Sequence, residues 1–426
     1  MGRAISRSAE PDPSPPRPTS GPTAAGEVWC SRGEHLYSVC SAPDRNGPSS
    51  PGDTMVASST TVYPGDSNVV IRASQRPSVS VVLAARDAEA TLSRALESVL
   101  GQAFDAVQLV AVVMPSRDRT LSICEHAAER NVRLDVVEAD TLDTLVAFDA
   151  GLEVARGSYV LFMRQEDWLG PRALERLVDT AARDGLDAAL PQRSCDSLDA
   201  HGERHSRMEG APGGVYRSES AFRAHAHEFV EGGAFDELTG KLFSRTRIDD
   251  LALRAGLKRD ETDYLATFFE DAERVASVEN AVYHAAELPV PETVLDRELF
   301  ERCERAYMRL REMARSWGMG SDEQLALAIH RSHLLRIISC IEEVCARRNI
   351  SSIERCARVR DMIEAPSTRE AVTALRGVGG RDLGIMYGPI ARKNALICCL
   401  SARFAPLFGS KAGRSSSTSH RDAAVA

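Results

Sequence analysis

The sequence predicts an α/β protein whose mostly parallel sheet is flanked by helices and followed by an all-helical C-terminal region. Three observations lead there. Between Pro77 and Val178, short apolar runs alternate with stretches whose apolar residues recur at helical spacing. The runs are valine-rich and continuous, as expected of strands covered on both faces. From about Pro291 onward only the helical spacing persists.

Val79, Val81, Val82 and Leu83 make the first buried strand. A helix follows over Ala88–Leu100, with Leu92, Ala95, Leu96, Val99 and Leu100 at helical spacing. The second strand is Val107–Val113, the second helix Thr120–Arg130 and the third strand Leu134–Val137. Leu142–Ala155 reads as a helix with Leu142, Leu145, Val146 and Leu152 on one side and Gly157 as its C-cap. Tyr159–Met163 is the fourth strand, and Pro171 opens a helix bearing Ala173, Leu174, Leu177 and Val178. Strands joined by helices imply parallel neighbours and right-handed crossovers.

Residues 193–225 are polar and irregular, with Gly210, Gly213 and Gly214, and read either as a substrate-facing loop or as a surface insertion. After Lys241–Leu242–Phe243, a helix led by Asp260 and Glu261 runs to Ala272, then a strand over Val275–Val278, then Ala281–His284. The helical region reads as Val294–Met313, Asp322–Arg347, Ile353–Ile363, Arg369–Leu375 and Met386–Phe408.

A chain of 426 residues is long enough for two or three domains. Residues 1–76 are rich in Pro, Ser, Gly and Asp and lack apolar periodicity, so disorder is expected there. The α/β domain then spans 77–290, the helical region 291–410, and a second disordered tail 411–426. Met55 offers an internal start, which would leave residues 1–54 untranslated. A net charge of −9 argues against a nucleic-acid partner. The ten cysteines include no Cys-x-x-Cys pair, so reduced thiols are expected.

The N-terminus has no apolar run of signal-peptide length, and no stretch reaches the roughly 18 apolar residues of a membrane span. A cytoplasmic location, or a peripheral one at the inner face of a membrane, is expected. Met386–Phe408 joins an apolar body to Arg392, Lys393 and Arg403. That pattern fits an interfacial membrane helix or a helix packed on the protein's own core. Gly388 and Pro389 interrupt it.

In parallel sheets ligands bind beyond the carboxyl ends of the strands. Arg86, Asp87, Ser116, Asp118 and the turn Arg164–Gln165–Glu166–Asp167–Trp168 all fall at such ends. A Rossmann dehydrogenase is a poor reading, because Ala84–Ala90 contains no glycine.

The order of elements and two stretches resemble the family 2 glycosyltransferases, which have the GT-A (Rossmann-like) fold. The stretches are VSVVLAARDAEATLSRALESVLGQ from Val79 and GLEVARGSYVLFMRQEDWLGPRALERL from Gly151. The likeness covers residues 77–178 and, more weakly, Lys241–His284. It implies transfer of a sugar from a nucleotide-diphosphate donor to a hydroxyl on a saccharide or lipid-linked acceptor, in cell-surface polysaccharide or glycolipid synthesis. A divalent cation (Mg or Mn) held by carboxylates would neutralise the leaving diphosphate. A separate carboxylate would take the acceptor proton.

Carried over by position, the family's base-stacking aromatic is Arg86 here, followed by Asp87, and its paired Asp residues are Val113 and Met114. Ser116, Asp118 and Thr120 agree with the pattern, whereas a basic position is Phe148. The Asp-x-Asp turn reads Arg164–Gln165–Glu166, with Asp167 and Trp168 retained, and the later Glu-Asp pair reads Asp260–Glu261. The resemblance thus implies donor contacts from Arg86, Asp87, Ser116, Asp118 and Arg164, a metal side at Glu166 and Asp167, and catalysis by Glu261 with Asp260. Each has a plainer reading: Asp118 orders its own loop, Glu166 and Asp167 form a solvated turn, Glu261 starts a helix, and Trp168 is core or a sugar-stacking face. Two functions stay open: a divergent active transferase, or a catalytically inactive relative (a pseudoenzyme) that binds or scaffolds an active one.

Overall fold

The computed structural model describes residues 77–198, 204–258, 260–286, 298–377 and 380–404. The tails expected at 1–76 and 411–426 lie outside these residues.

The first seven elements follow the alternation read from the sequence: β1 (Val79–Ala85), α1 (Leu92–Leu100), β2 (Val107–Val113), α2 (Thr120–Arg130), β3 (Leu134–Glu138), α3 (Thr144–Val154) and β4 (Tyr159–Arg164). The next run is β5 (Trp168–Leu169), α4 (Ala173–Asp184), β6 (Ala188–Leu198), β7 (Arg204–Glu209), β8 (Gly214–Tyr216), α5 (Glu219–Ala224), α6 (Ala226–Glu231), β9 (Leu242–Ser244) and α7 (Arg245–Asp250). Then come α8 (Glu261–Glu270), β10 (Val275–Ala286), α9 (Leu299–Ser316), α10 (Glu323–Ala346), α11 (Ser352–Glu364), α12 (Pro366–Ala374), α13 (Tyr387–Ala391) and α14 (Ala395–Phe404).

The strands form one sheet in the order β3-β2-β1-β4-β9-β6-β10-β5, with β7 on β6 and β8 on β10. β1 runs parallel to β2 and β4, β2 to β3, and β6 to β10. β9 lies antiparallel between β4 and β6. The sheet is therefore mixed and mostly parallel. Side chains alternate across it. Val81 and Leu83 pack with α1, α2 and α4, while Val82 and Ala84 pack with Phe148 and Phe162 on the other side.

A polar network ties the strands together near their N-terminal ends. Ser80 Oγ donates to Gln108 Oε1 at 2.6 Å, and Gln108 Nε2 donates to Asp135 Oδ2 at 2.7 Å. All three side chains are buried, and each is hydrogen-bonded to at least one other polar group, as buried polar groups must be to stabilise a fold. The opposite, C-terminal strand ends are left free for a site.

Gly157 is not the C-cap expected from the sequence. α3 ends at Val154 with Ala155 extended, and Gly157 has no positive φ. Its need is space: a Cβ there would lie 2.4 Å from Ser80 N and 2.6 Å from the Val79 carbonyl carbon. Gly157→Ala is expected to cost about 1–3 kcal/mol in urea unfolding; an unchanged midpoint would show that β1 yields freely.

Of the segment read as irregular, residues 193–198 and 204–225 are largely regular: β6 and β7 pair antiparallel from Arg193↔Glu209, and β8 joins β10. The strands escaped notice because their buried positions include polar residues. Asp196, buried, takes Ser206 Oγ and His284 Nδ1 as partners. The two segments at Val275–Val278 and Ala281–His284 are one strand with a register shift between Val278 and Val282.

Of the first C-terminal helix as read, residues 294–297 lie outside the described residues; α9 begins at Leu299. Met386–Phe408 is not one helix. It breaks between α13 and α14, where Lys393 is left-handed at φ 56°. Residues 405–408 lie outside the description. Tyr307, Leu310, Met313, Trp317, Leu325 and Ile329 share a core with Phe222, Phe229 and Phe269, so α9 and the start of α10 are continuous with the α/β part. The remaining helices close a separate core around Leu334, Ile338, Ile341, Val359 and Ile363. Among the described residues no helix is long and apolar enough to cross a membrane.

Candidate active site

Two loops form one side of the rim. Asp87, left-handed at φ 48°, donates its amide to Ser116 Oγ at 3.1 Å and accepts from Arg117 N at 2.8 Å. Asp118 accepts from Glu89 N at 2.8 Å and from the Thr120 hydroxyl at 2.5 Å. The Thr120 hydroxyl first, then the Glu89 amide, hold the Asp118 carboxyl below its usual range. Asp87, Ser116 and Asp118 thus use polar atoms to lock the β1–α1 loop onto the β2–α2 loop. Arg86 is exposed and has no hydrogen-bond partner among the described residues. Behind the rim, Val113 and Met114 are buried.

The other side is a charge cluster at the end of β4. Arg164 Nη2 donates to Glu261 Oε1 at 2.6 Å, and Nη1 donates to Glu237 Oε2 at 3.4 Å. The second oxygen of Glu261 accepts from Leu238 N. Arg193 of β6 pairs with Glu237 at 2.5 Å, and Lys241 Nζ donates to the Glu237 carbonyl. Arg164 keeps 32% of its side chain exposed. Glu261, then Glu237, keep its proton bound more tightly than usual despite burial. Burial disfavours the charge on Glu237, but Arg193 and Arg164 outweigh it and hold its pKa low. Burial pulls Lys241 down to about 8. Arg193, Glu237 and Lys241 were not singled out from the sequence as site residues; only a tertiary pairing reveals them.

Asp260 and Glu261 divide their tasks. Asp260 caps α8 by accepting from Asp263 N at 3.0 Å, and it lies 3.6 Å from Arg305. Glu261, the first residue of α8, faces Arg164. A cavity of about 330 Å³ opens beside it, lined by Leu145, Asp236, Asp260, Arg302, Cys303 and Arg336.

Asp167, expected on the metal side, turns inward. It is 2% exposed and accepts from the Tyr283 hydroxyl at 2.5 Å and from Ala286 N at 3.0 Å. Burial pushes its pKa up to about 6, against a usual value of 3.8. A carboxyl whose pKa rises on folding binds its proton more tightly when folded. Its contribution therefore falls as pH rises from about 4 to about 6. Relative to Asp167→Asn, the natural protein is expected to lose at most about 3 kcal/mol across that window. Urea unfolding of both proteins at either end of the window checks this, and parallel pH dependences would contradict it.

Glu166 turns one carboxylate oxygen, Oε2, into a buried position with no hydrogen-bond partner among the described residues. That single oxygen sits in the same turn as the Arg164 guanidinium. Among the described residues no group of three His, Cys, Asp or Glu side chains gathers to hold a metal. Trp168 is not open for sugar stacking: the Arg94 guanidinium lies 4.0 Å from its ring centroid, and the His284 ring stacks on it at 4.8 Å and 5°.

A mostly parallel sheet flanked by helices, with charged residues at its strand ends and helices behind, defines a GT-A-type α/β protein. The crystal structure of S. aureus TarS 1-349 has the same fold, at TM-score 0.51 and 15% identity over 78% of this chain and 91% of that one. Residues 80–251 match the model of Glycosyl transferase family 2, so this segment of the chain is a domain of that type. Among curated relatives, the putative glycosyltransferase EpsH of Bacillus subtilis (strain 168) is 24% identical over 217 residues, 49% of this chain and 61% of EpsH. The succinoglycan biosynthesis protein ExoO of Rhizobium meliloti (strain 1021) is 32% identical over 123 residues, 29% of this chain and 34% of ExoO. The O-antigen biosynthesis protein RfbC of Myxococcus xanthus is 37% identical over 138 residues, 32% of this chain and 11% of RfbC. The chain thus spans less than two thirds of each of these relatives.

Proposed function

We propose that the protein transfers a sugar from a nucleotide-diphosphate donor to a hydroxyl of a saccharide or lipid-linked acceptor, in the synthesis of a cell-surface polysaccharide or glycolipid. The observation that carries this reading is the Arg164–Glu261 pair at 2.6 Å, set at a strand end beside a cavity. The names of ExoO and RfbC support the polysaccharide class.

In this reading Arg164 is the cation on the diphosphate. A guanidinium offers two parallel donors to phosphate oxygens and carries a charge that does not titrate. Arg86 extends the positive rim. Glu261 is the general base. The acceptor oxygen attacks the anomeric carbon, the bond from that carbon to the phosphate oxygen breaks, and its electron pair leaves with the diphosphate. The acceptor proton passes to Glu261. Without donor, Glu261 is occupied by Arg164; a diphosphate competes for the guanidinium and releases the carboxylate. Donor therefore binds before the base is free. The cavity beside Glu261 is the acceptor side.

The experiment is release of UDP or GDP from a panel of nucleotide sugars, with and without saccharide acceptors. Acceptor-dependent release from one donor supports transfer. A second reading, a non-catalytic relative acting as a binding or scaffold module, draws on the apolar wall of Val113 and Met114 and on the two committed oxygens of Glu261. A panel without turnover would favour it.

A further inference from the structure

We infer that the segment α13–α14 docks on an anionic lipid surface. α14 is already seated on the protein through one face: Cys398, Cys399 and Ala402 are buried, and Cys399 Sγ lies 3.7 Å from Cys356 Sγ of α11. Its outer face is nevertheless apolar. Leu396 is 62% exposed, Ile397 43% and Leu400 48%, and Ile385 ahead of α13 is 54% exposed. These side chains are not core residues awaiting burial, because the inward positions of the helix are filled.

Charge identifies the occupant. Arg392, Lys393 and Arg403 flank the apolar side chains and are exposed. From Gly384 to His420 the sequence contains no Asp or Glu, in a chain of net charge −9. The same stretch continues through Leu407, Phe408, Lys411 and Arg414. Apolar side chains rimmed by cations match the boundary of an anionic bilayer, with acyl chains below and phosphates at the edge. A second copy of this chain fits poorly, because pairing this face with itself would oppose like charges across the contact. The inference does not depend on the transferase reading; vesicle binding and turnover are separate measurements.

The test is sedimentation of the full chain with phosphatidylcholine vesicles, with and without phosphatidylglycerol. Binding is expected only with the anionic lipid, and it should weaken as salt rises. Replacing Arg392, Lys393 and Arg403 together by Ser is expected to reduce partitioning about 100-fold, at about fivefold per cation. Leu396→Ser with Ile397→Ser and Leu400→Ser should reduce it about 60-fold or more by losing buried apolar area, about fourfold or more per side chain. The single change Leu396→Ser serves as the milder variant should the triple one unfold. The inference is overturned by failure of the natural chain to bind anionic vesicles, or by equal binding of the variants. It is equally overturned by a concentration-dependent dimer that the Leu/Ile substitutions dissolve.

Discussion

Arg164→Ala is expected to weaken binding of a nucleoside diphosphate by about 10- to 100-fold. Hydrogen bonds to charged groups contribute about 1.5–3 kcal/mol each, and this side chain is the cation assigned to the leaving group. The substitution also leaves Glu237 and Glu261 without a shared counter-charge. Some loss of stability must accompany it, since two partly buried carboxylates then lie near each other. Arg164→Lys separates the two effects: it restores a positive charge but not the planar fork, so stability should recover more than affinity does. Titration calorimetry with UDP or GDP, alongside urea unfolding, gives both numbers. Equal affinity of Arg164→Ala and the natural protein would remove Arg164 from the donor site.

Glu261→Gln is expected to lower kcat by about 10²- to 10⁴-fold while leaving donor affinity intact or raised, because a neutral amide competes less for Arg164. Gln is close in shape, yet it cannot accept the acceptor proton. It also offers one acceptor oxygen where Glu261 uses two, one for Arg164 and one for Leu238 N. One contact is therefore lost, at a cost of about 1 kcal/mol in stability. Acceptor-dependent release of nucleoside diphosphate measures the chemical effect. Retained turnover would show that Glu261 serves only to neutralise Arg164. A large fall in affinity with unchanged kcat would place it in binding instead.

The parallel half of the sheet was legible because its strands are buried on both faces. Val107–Val113 reads as a continuous apolar run, and such runs have few alternatives once helices flank them. Helix starts were legible where acids and caps coincide, as at Asp260 and Asp322. Long-range pairing was not legible. Tyr283 and Asp167 meet across 116 residues, and Arg164 and Glu261 across 97. No local pattern announces such partners, so the inward turn of Asp167 and the occupied state of Glu261 appear only in three dimensions. β6 and β7 were missed because polar pairs such as Ser206–Asp196 take positions where strand patterning expects apolar residues. The break after α13 was half legible: Gly388 and Pro389 marked a weak segment, but the left-handed residue is Lys393, which no propensity singles out.

The proposed function turns on one point: we propose that the Arg164 guanidinium at the end of β4 meets the diphosphate charge, the role of carboxylate-held metal in the pattern the sequence resembles. The direct measurement is binding of a nucleoside diphosphate to the full chain in EDTA and in Mn²⁺, for the natural protein and for Arg164→Ala. The claim predicts binding of similar strength in both conditions, lost in the variant. Binding that appears only with Mn²⁺, or that survives removal of Arg164, would contradict it.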